Sequence, residues 1–493
     1  MQLSHHINMT ETYNFNFDNT YKSLPKQFFE RLRPDHVPDP KIVSINYKLA
    51  EEIGLNLTAA TQQKLSRVFS GNDLPDGSAP LSQAYAGHQF GYFSMLGDGR
   101  AHLLGEHITP NGIRLDIQLK GSGRTPYSRS GDGRAALGPM IREYLISEAM
   151  HNLGIPTTRS LAIITTGEEV RRETLLPGAI LTRIASSHIR VGTFEFAANL
   201  KDIDLLKSLL DYTIERHYPE VFDYPNRAVG LIEKIMQKQA DLIVHWMRVG
   251  FIHGVMNTDN MTLTGETIDY GPCAFMDNYD PNTFFSSIDR GGRYSYMNQP
   301  LIAQWNLARL IEALLPMIDN NEDNAVKIGE KLIDKFSDIY KRKWLSMMRS
   351  KLGLHGAQAG DQMLIKDLLD WMHNNEADFT NTFRDLTNGK KPTEKIYKIS
   401  SFQTWYKKWM VRLQKNNVSW DTSLTTMRNS NPLIIPRNHQ VERVINSATQ
   451  GDLKCFRDFL EVLENPYKAD GKSKPYQMPP EPRERVYQTF CGT

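Results

Sequence analysis

The stretch Arg114-Leu-Asp-Ile-Gln-Leu-Lys120 alternates apolar and polar residues with period two. On a strand, Leu115, Ile117 and Leu119 share one face, and Asp116, Gln118 and Lys120 share the other. Upstream, LGDGRAHLLGE sets Gly97-Asp-Gly99-Arg100 between short apolar runs, which predicts strand–turn–strand. Ser160–Thr166 and Gly178–Ile184 read as further strands. Between Lys120 and Ser160 the period changes. Ile141, Tyr144, Leu145 and Ala149 recur at helical spacing from about Pro139, a favoured first helical residue, to Leu153, and Gly154 and Pro156 stop the run. Beyond residue 200 helical spacing dominates. A helix over 228–249 offers Val229, Ile232, Met236, Ile243, Trp246 and Met247 as its buried side, and Gly250 closes it. More amphipathic helices follow from 300 to 460, interrupted by NPLIIPRNHQVERVI (431–445), for whose PRNHQVE text no chemical role is evident.

This pattern predicts an α+β protein. Residues 1–80, with scattered aromatics and prolines and one helical piece near Ile45–Ile53, read as a wrapping segment. Residues 81–200 form a strand-rich lobe and 201–440 a mostly helical one, with the boundary near 196–205. A C-terminal helix and an irregular tail occupy 441–493. The chain of 493 residues is long enough for several lobes. Its 58 basic and 56 acidic residues leave a formal charge of +2, with no Lys/Arg block, so no nucleic-acid surface is expected. No apolar run approaches the roughly 18 residues of a membrane span, so no membrane partner is expected. MQLSHHINMTETYNFNF has neither a signal core nor an Arg-rich transit helix. Three cysteines, Cys273, Cys455 and Cys491, are too few for a disulfide scaffold, which points to the cytoplasm.

The chemistry centres on His253-Gly-Val-Met-Asn-Thr-Asp-Asn260 and Ile268-Asp269-Tyr270-Gly271. Protein kinases read H-R-D-x-x-x-x-N and then D-F-G, holding two Mg²⁺ ions against the phosphates of ATP. Asn260 stands at the offset of that Asn, and Asp269 opens a D-Y-G. The kinase base position carries Val255, which cannot accept a proton. An acid stands instead at Asp259, beside Asn260. His253, next to a tight loop, reads as structural. Lys120 falls where a kinase keeps its phosphate-contacting strand lysine, although an isolated strand lysine is usually a solvated edge residue. Its partner on the following helix would be Glu143 or Glu148, and periodicity leaves both open. GSGRTPYSRSGDGRA (121–135) is dense in anion-binding groups, and Arg183 and Arg190 offer the planar fork that suits phosphate. Taken singly, each of these features also fits a plain turn, connector or surface arginine.

Together, QLKGSGRTPYSRSGDGRA (118–135), HGVMNTDNM (253–261), IDYGPCAFMD (268–277), PRNHQVE (436–442) and Cys491 resemble the selenoprotein O family, from about residue 20 to the C-terminus. The resemblance implies a two-lobed protein-kinase-like fold with family-specific N- and C-terminal extensions, binding ATP in a flipped orientation. It implies transfer of AMP, not phosphate, to Ser, Thr or Tyr hydroxyls of proteins; the chain itself is a further candidate acceptor. Lys120 then resembles the phosphate-binding lysine, with Glu143 as its partner. Gly97, Gly99, Arg100, Asp132, Gly133, Arg183 and Arg190 resemble the ATP contacts. Asn260 and Asp269 resemble the ligands of Mg²⁺, with Mn²⁺ as the alternative ion, and Asp259 the proton acceptor. Cys491 stands where some members carry selenocysteine. With Cys273, two residues past the D-Y-G, it is a candidate pair for a reversible regulatory disulfide. Two rival readings remain from the residues: a conventional kinase with a displaced base, and an ATP-binding pseudokinase.

Overall fold

A computed structural model describes residues 13–490. The chain is mixed α and β, and it divides into two compact units, each built from separate stretches of sequence. Among the described residues, the first unit takes the chain up to Ala84, Leu96–Met140 and Arg159–His188. The second takes Tyr85–Met95, Ile141–Thr158 and everything from Ile189 onward.

The strands in chain order are β1 (Phe29–Arg31), β2 (Lys41–Ile45), β3 (Leu81–Gln83), β4 (Ala86–Gln89), β5 (Tyr92–Met95), β6 (Ala101–Ile108), β7 (Arg114–Lys120), β8 (Arg159–Arg171), β9 (Leu175–Ala185), β10 (Phe251–Ile252) and β11 (Ala274–Phe275). In the first unit seven of them form one antiparallel sheet in the order β1-β3-β6-β7-β9-β8-β2. The expected strand at 114–120 is β7, at the centre of this sheet. Ile117 and Leu119 join a core with Leu104, Ile164, Ile180 and Ile184, and helices α1 (Tyr47–Glu52) and α2 (Gln62–Ser70) add Leu49, Leu65, Val68 and Phe69. The stretch before residue 84 therefore supplies three strands and two helices to this unit. The strand–turn–strand expected around Gly97 is only partly realised. β5 pairs with β4, and β6 pairs with β3 and β7, so Gly97–Arg100 is a loop between different sheets and not a hairpin turn.

Helix α3 (Leu137–Asn152) follows the anticipated run, and most of it belongs to the second unit. The other helices of that unit are α4 (Val191–Asn199), α5 (Ile203–His217), α6 (Arg227–Val249), α7 (Gln299–Ile318), α8 (Glu322–Lys351), α9 (Asp361–Asn374), α10 (Phe379–Leu386), α11 (Ser400–Leu413), α12 (Trp420–Ser430), α13 (Asn438–Thr449) and α14 (Lys454–Leu463). The Asn226 side chain caps the start of α6 by accepting from the Val229 amide, and Gly250, in the left-handed region at φ 74°, ends it. Among the described residues one helical stretch, Tyr296–Ile318, is long and apolar enough to cross a membrane by length and composition. Its Ile302, Leu307, Leu310, Ile311 and Leu314 are buried among helices, and Gln299 and Asn306 hydrogen-bond neighbouring backbone, as in the core helix of a globular unit.

Candidate functional site

In the second unit, α6 delivers the chain straight into the loop that carries His253 and Asp259. The loop is closed at its base, because β10 pairs antiparallel with β11, Phe251 opposite Phe275 and Ile252 opposite Ala274. Everything from His253 to Cys273 is thus held between two paired strands. Buried loop backbone must find partners, and surrounding helices supply them. The α7 amides of Gln299 and Asn306 donate to Phe251 O and Met256 O at 2.9 and 3.0 Å. On α6, Gln239 donates to Thr262 O at 2.6 Å. His253 is structural, as the sequence suggests: its Nε2 pairs with Ile268 O at 2.9 Å, and its ring stacks on Trp246. Burial lowers its pKa below the usual imidazole value.

Val255 is buried, so the kinase base position lies within apolar packing. Asp259, in a 3₁₀ turn over Thr258–Asn260, is also buried, and its Oδ1 has no hydrogen-bond partner among the described residues. Burial raises its pKa to about 6, against the pull of the nearby Arg190. A carboxylate tuned in this way is suited to take a proton near neutral pH. Arg190 stands at the N-cap position of α4, its backbone amide donating to Thr193 Oγ1 at 3.1 Å. Its guanidinium donates to the Asp259 carbonyl at 3.2 Å, stands 3.9 Å from Asp269 Oδ2 and lies 4.2 Å over the Tyr85 ring. Asp269 adopts φ 61°, a left-handed conformation uncommon for a residue with a side chain. Arg190, Asp259, Asn260 and Asp269 are therefore gathered in one place, as expected. The Glu143–Glu148 question stays open on burial alone, since both are buried. Only Glu143 contributes to the raised pKa of the Tyr270 phenol, whose main cause is burial, which places Glu143 near the D-Y-G.

Asn260 donates its amide to Val255 O at 3.0 Å, which turns its Oδ1 away from that bond. With the Asp269 carboxylate, this gives two hard oxygen donors. No group of three or more His, Cys, Asp or Glu suited to a metal occurs among the described residues. Two protein oxygens fit Mg²⁺, which usually completes its shell with water and substrate phosphate.

The first unit holds the remaining expected contacts. Lys120 ends β7 and is buried, not a solvated edge residue. Arg183 of β9 stands opposite Gln118 and donates to its Oε1 at 2.6 Å, while Gln118 Nε2 donates to Asp98 at 3.2 Å. The polar face of β7 is thus a buried row, with Asp116 accepting from the His188 backbone and ring at 2.9 and 2.8 Å. Gly97 and Gly99 lie against Tyr127. A Cβ on Gly97 would stand 2.3 Å from that ring, and one on Gly99 2.8 Å from the Tyr127 carbonyl. Gly133, at φ 70°, packs on Gly123, where a Cβ would come within 2.2 Å of backbone. The Arg100 carbonyl accepts from the Gly121 amide at 2.7 Å. Asp132 is half-exposed and ion-paired with Arg172 at 2.8 Å, a pairing the sequence reading did not contain.

The PRNHQVE text acquires a role through contacts. Buried Arg437 binds Asp277 at 2.5 Å and Asp378 at 2.9 Å, and Asn438 donates to and accepts from the Phe275 backbone. The motif thus clamps the segment that follows Asp269-Tyr-Gly. The tail reaches the same region: Thr489 is buried, and its hydroxyl donates to Pro272 O at 2.5 Å. Cys273 is buried, whereas Cys491 lies outside the described residues.

Comparison with known proteins agrees with this arrangement of motifs. A family model described as "Protein adenylyltransferase SelO" matches residues 11–464. A "Protein nucleotidyltransferase YdiU" of Nitrosococcus oceani is 57% identical over 480 residues, 97% of both chains. Proteins of the same name from Anoxybacillus flavithermus and Halalkalibacterium halodurans are each 55% identical over 481 residues, covering 97% of this chain and 99% and 98% of theirs. With a matching model over most of its length and relatives of this identity, the chain belongs to the SelO family of protein adenylyltransferases.

Proposed function

We propose that the protein transfers AMP from ATP to Ser, Thr or Tyr hydroxyls of proteins, itself included, on a protein-kinase-like fold. The observation that carries the reading is the displaced acid. Val255 is buried where a kinase keeps its base, while Asp259, with a pKa near 6, adjoins Asn260. The acceptor oxygen attacks the α-phosphorus of ATP, and its proton passes to Asp259. The bond from the α-phosphorus to the oxygen bridging to the β-phosphate breaks, and pyrophosphate leaves with that oxygen. Negative charge accumulates on the leaving group, and Lys120, Arg183 and Arg190 are the cations that offset it. Glu143 is the residue assigned, by the resemblance to the family, as the partner of Lys120. Gly97, Gly99, Arg100, Asp132 and Gly133 complete the nucleotide contacts, the glycines by allowing close backbone approach. Asn260 and Asp269 would hold Mg²⁺ or Mn²⁺, which when bound screens phosphate charge and polarises the reacting phosphoryl oxygen.

The test uses purified protein, Mg²⁺ and ATP labelled at either the α- or the γ-phosphate. Label from the α position on protein, with release of pyrophosphate, is expected. Label only from the γ position establishes a kinase instead, and nucleotide binding with neither label establishes a pseudokinase.

A further inference from the structure

Three consecutive residues of the loop, Asn257, Thr258 and Asp259, are each set by one hairpin, through β4 and the turn that follows it. The backbone amide of His88 donates to Thr258 Oγ1 at 2.7 Å, and that of Phe90 to Asn257 Oδ1 at 3.1 Å. Asn257 Oδ1 also accepts from the Tyr294 hydroxyl at 2.6 Å. Gly87 lies so close to Asp259 that a Cβ there would stand 2.4 Å from Oδ1.

A threonine hydroxyl has one proton to give, and the direction of that proton fixes which lone pair it offers. Thr258 gives its proton to Oε2 of Glu195, a buried residue of α4, at 2.5 Å. The other oxygen of that carboxylate is held by Nδ1 of His88. Glu195 thereby grips the loop through Thr258 and the hairpin through His88. The His88 ring is itself braced edge-on by Trp305 of α7 and by Phe93. A buried carboxylate accepts a hydroxyl proton more strongly than a neutral group would. The 3₁₀ turn that carries Asp259 has no side-chain cap of its own, so this is the anchor of its first residue.

We propose that Glu195 is a positioning residue for the reaction, acting through the Thr258 hydroxyl to hold Asp259 where it meets the acceptor. The inference rests on Asp259 being the proton acceptor, as argued above. A base must stand within hydrogen-bond reach of the proton it takes, and a misplacement of about 1 Å costs on the order of a hundredfold in rate. Glu195 therefore acts on kcat and not on nucleotide affinity.

The experiment compares Glu195→Ala, Thr258→Val, Thr258→Ser and the double variant Glu195→Ala/Thr258→Val with the wild type. Each is measured for AMP transfer, ATP binding and amide hydrogen exchange over residues 257–260. Glu195→Ala and Thr258→Val are each expected to lower kcat by about a hundredfold, with ATP affinity within about threefold of wild type. Thr258→Ser, which restores the hydroxyl without the methyl, recovers most of the loss. The double variant is no worse than the poorer single one, because the two groups form one chain of action. Additive losses, a valine variant as active as serine, or a change confined to ATP affinity overturns the proposal. Should the wild type transfer no AMP, the proposed function falls. Exchange then decides the present inference: unchanged protection at 257–260 in Glu195→Ala overturns it, and faster exchange confined to that segment upholds the anchor.

Discussion

At the scale of single residues, the site depends on one carboxylate in an unusual setting. Asp259 is buried, one of its oxygens has no hydrogen-bond partner among the described residues, and its pKa stands near 6 because desolvation outweighs the attraction of Arg190. Asp259→Ala is expected to retain ATP affinity and lose turnover by about 10²–10⁴-fold, the usual contribution of a general base. Measuring nucleotide binding and AMP transfer on the same preparation checks this, and an active variant removes Asp259 from the role. The sequence made this residue legible because its neighbours keep a fixed offset: Asn260 follows His253 by seven positions, while Val255 breaks the kinase pattern. Its environment was not legible. Gly87, His88 and Glu195 stand 172, 171 and 64 positions upstream of Asp259, and no local pattern announces contacts over such separations.

At the scale of elements, the segment after Asp269-Tyr-Gly is pinned by a distant helix start. Arg437 precedes α13, is buried and bridges Asp277 and Asp378. The two carboxylates hold its guanidinium protonated against the cost of burial. Removing one member of a buried ion cluster leaves the others uncompensated, at about 3–5 kcal/mol. Arg437→Met should therefore lower the stability of the protein by that order in urea unfolding, with the segment around Asp277 losing amide protection first. A change below about 1 kcal/mol would mean that the aspartates find other partners and that the clamp is dispensable. Periodicity correctly gave α3, α6 and β7, because a buried stripe repeats within the element itself. It gave nothing for 436–442, whose Arg437 and Asn438 bond Phe275, Asp277 and Asp378, residues remote in sequence.

At the scale of the whole molecule, buried titratable groups link folding to pH. His102 on β6 is fully buried, and its Nδ1 meets Ser122 Oγ at 2.7 Å. Ser122 gives its own proton to Leu119 O, so His102 is the donor, and its second nitrogen has no hydrogen-bond partner among the described residues. Burial lowers its pKa to about 4 from an ordinary 6.5. Below pH 6.5 the unfolded chain takes a proton that the folded one refuses, so stability is full above that pH and falls as pH drops toward 4. Between pH 7 and pH 5 this amounts to about 2 kcal/mol. The stability difference between wild type and His102→Gln, read from urea midpoints at the two pH values, should narrow by about that amount on acidification. A constant difference would show that His102 does not titrate as its burial requires.

The sequence by itself determined the elements whose residues repeat at short range and the chemistry whose residues keep a fixed local spacing. The alternation of 114–120, the helical run ending at Gly250, and the His253–Asn260 and Asp269-Tyr-Gly motifs belong to this class, as does membership of the family. Only the tertiary structure decided that the polar face of β7 is buried, because that depends on what covers the sheet. It also decided that β5 turns to β4 and not to β6, that Arg437 and Thr489 meet the segment near Cys273, and that Glu195 grips Thr258. The physical reason is the range of the interactions. Backbone propensity and amphipathic period are set by neighbours a few positions apart, whereas hydrogen bonds and ion pairs between remote segments are selected only when the whole unit packs.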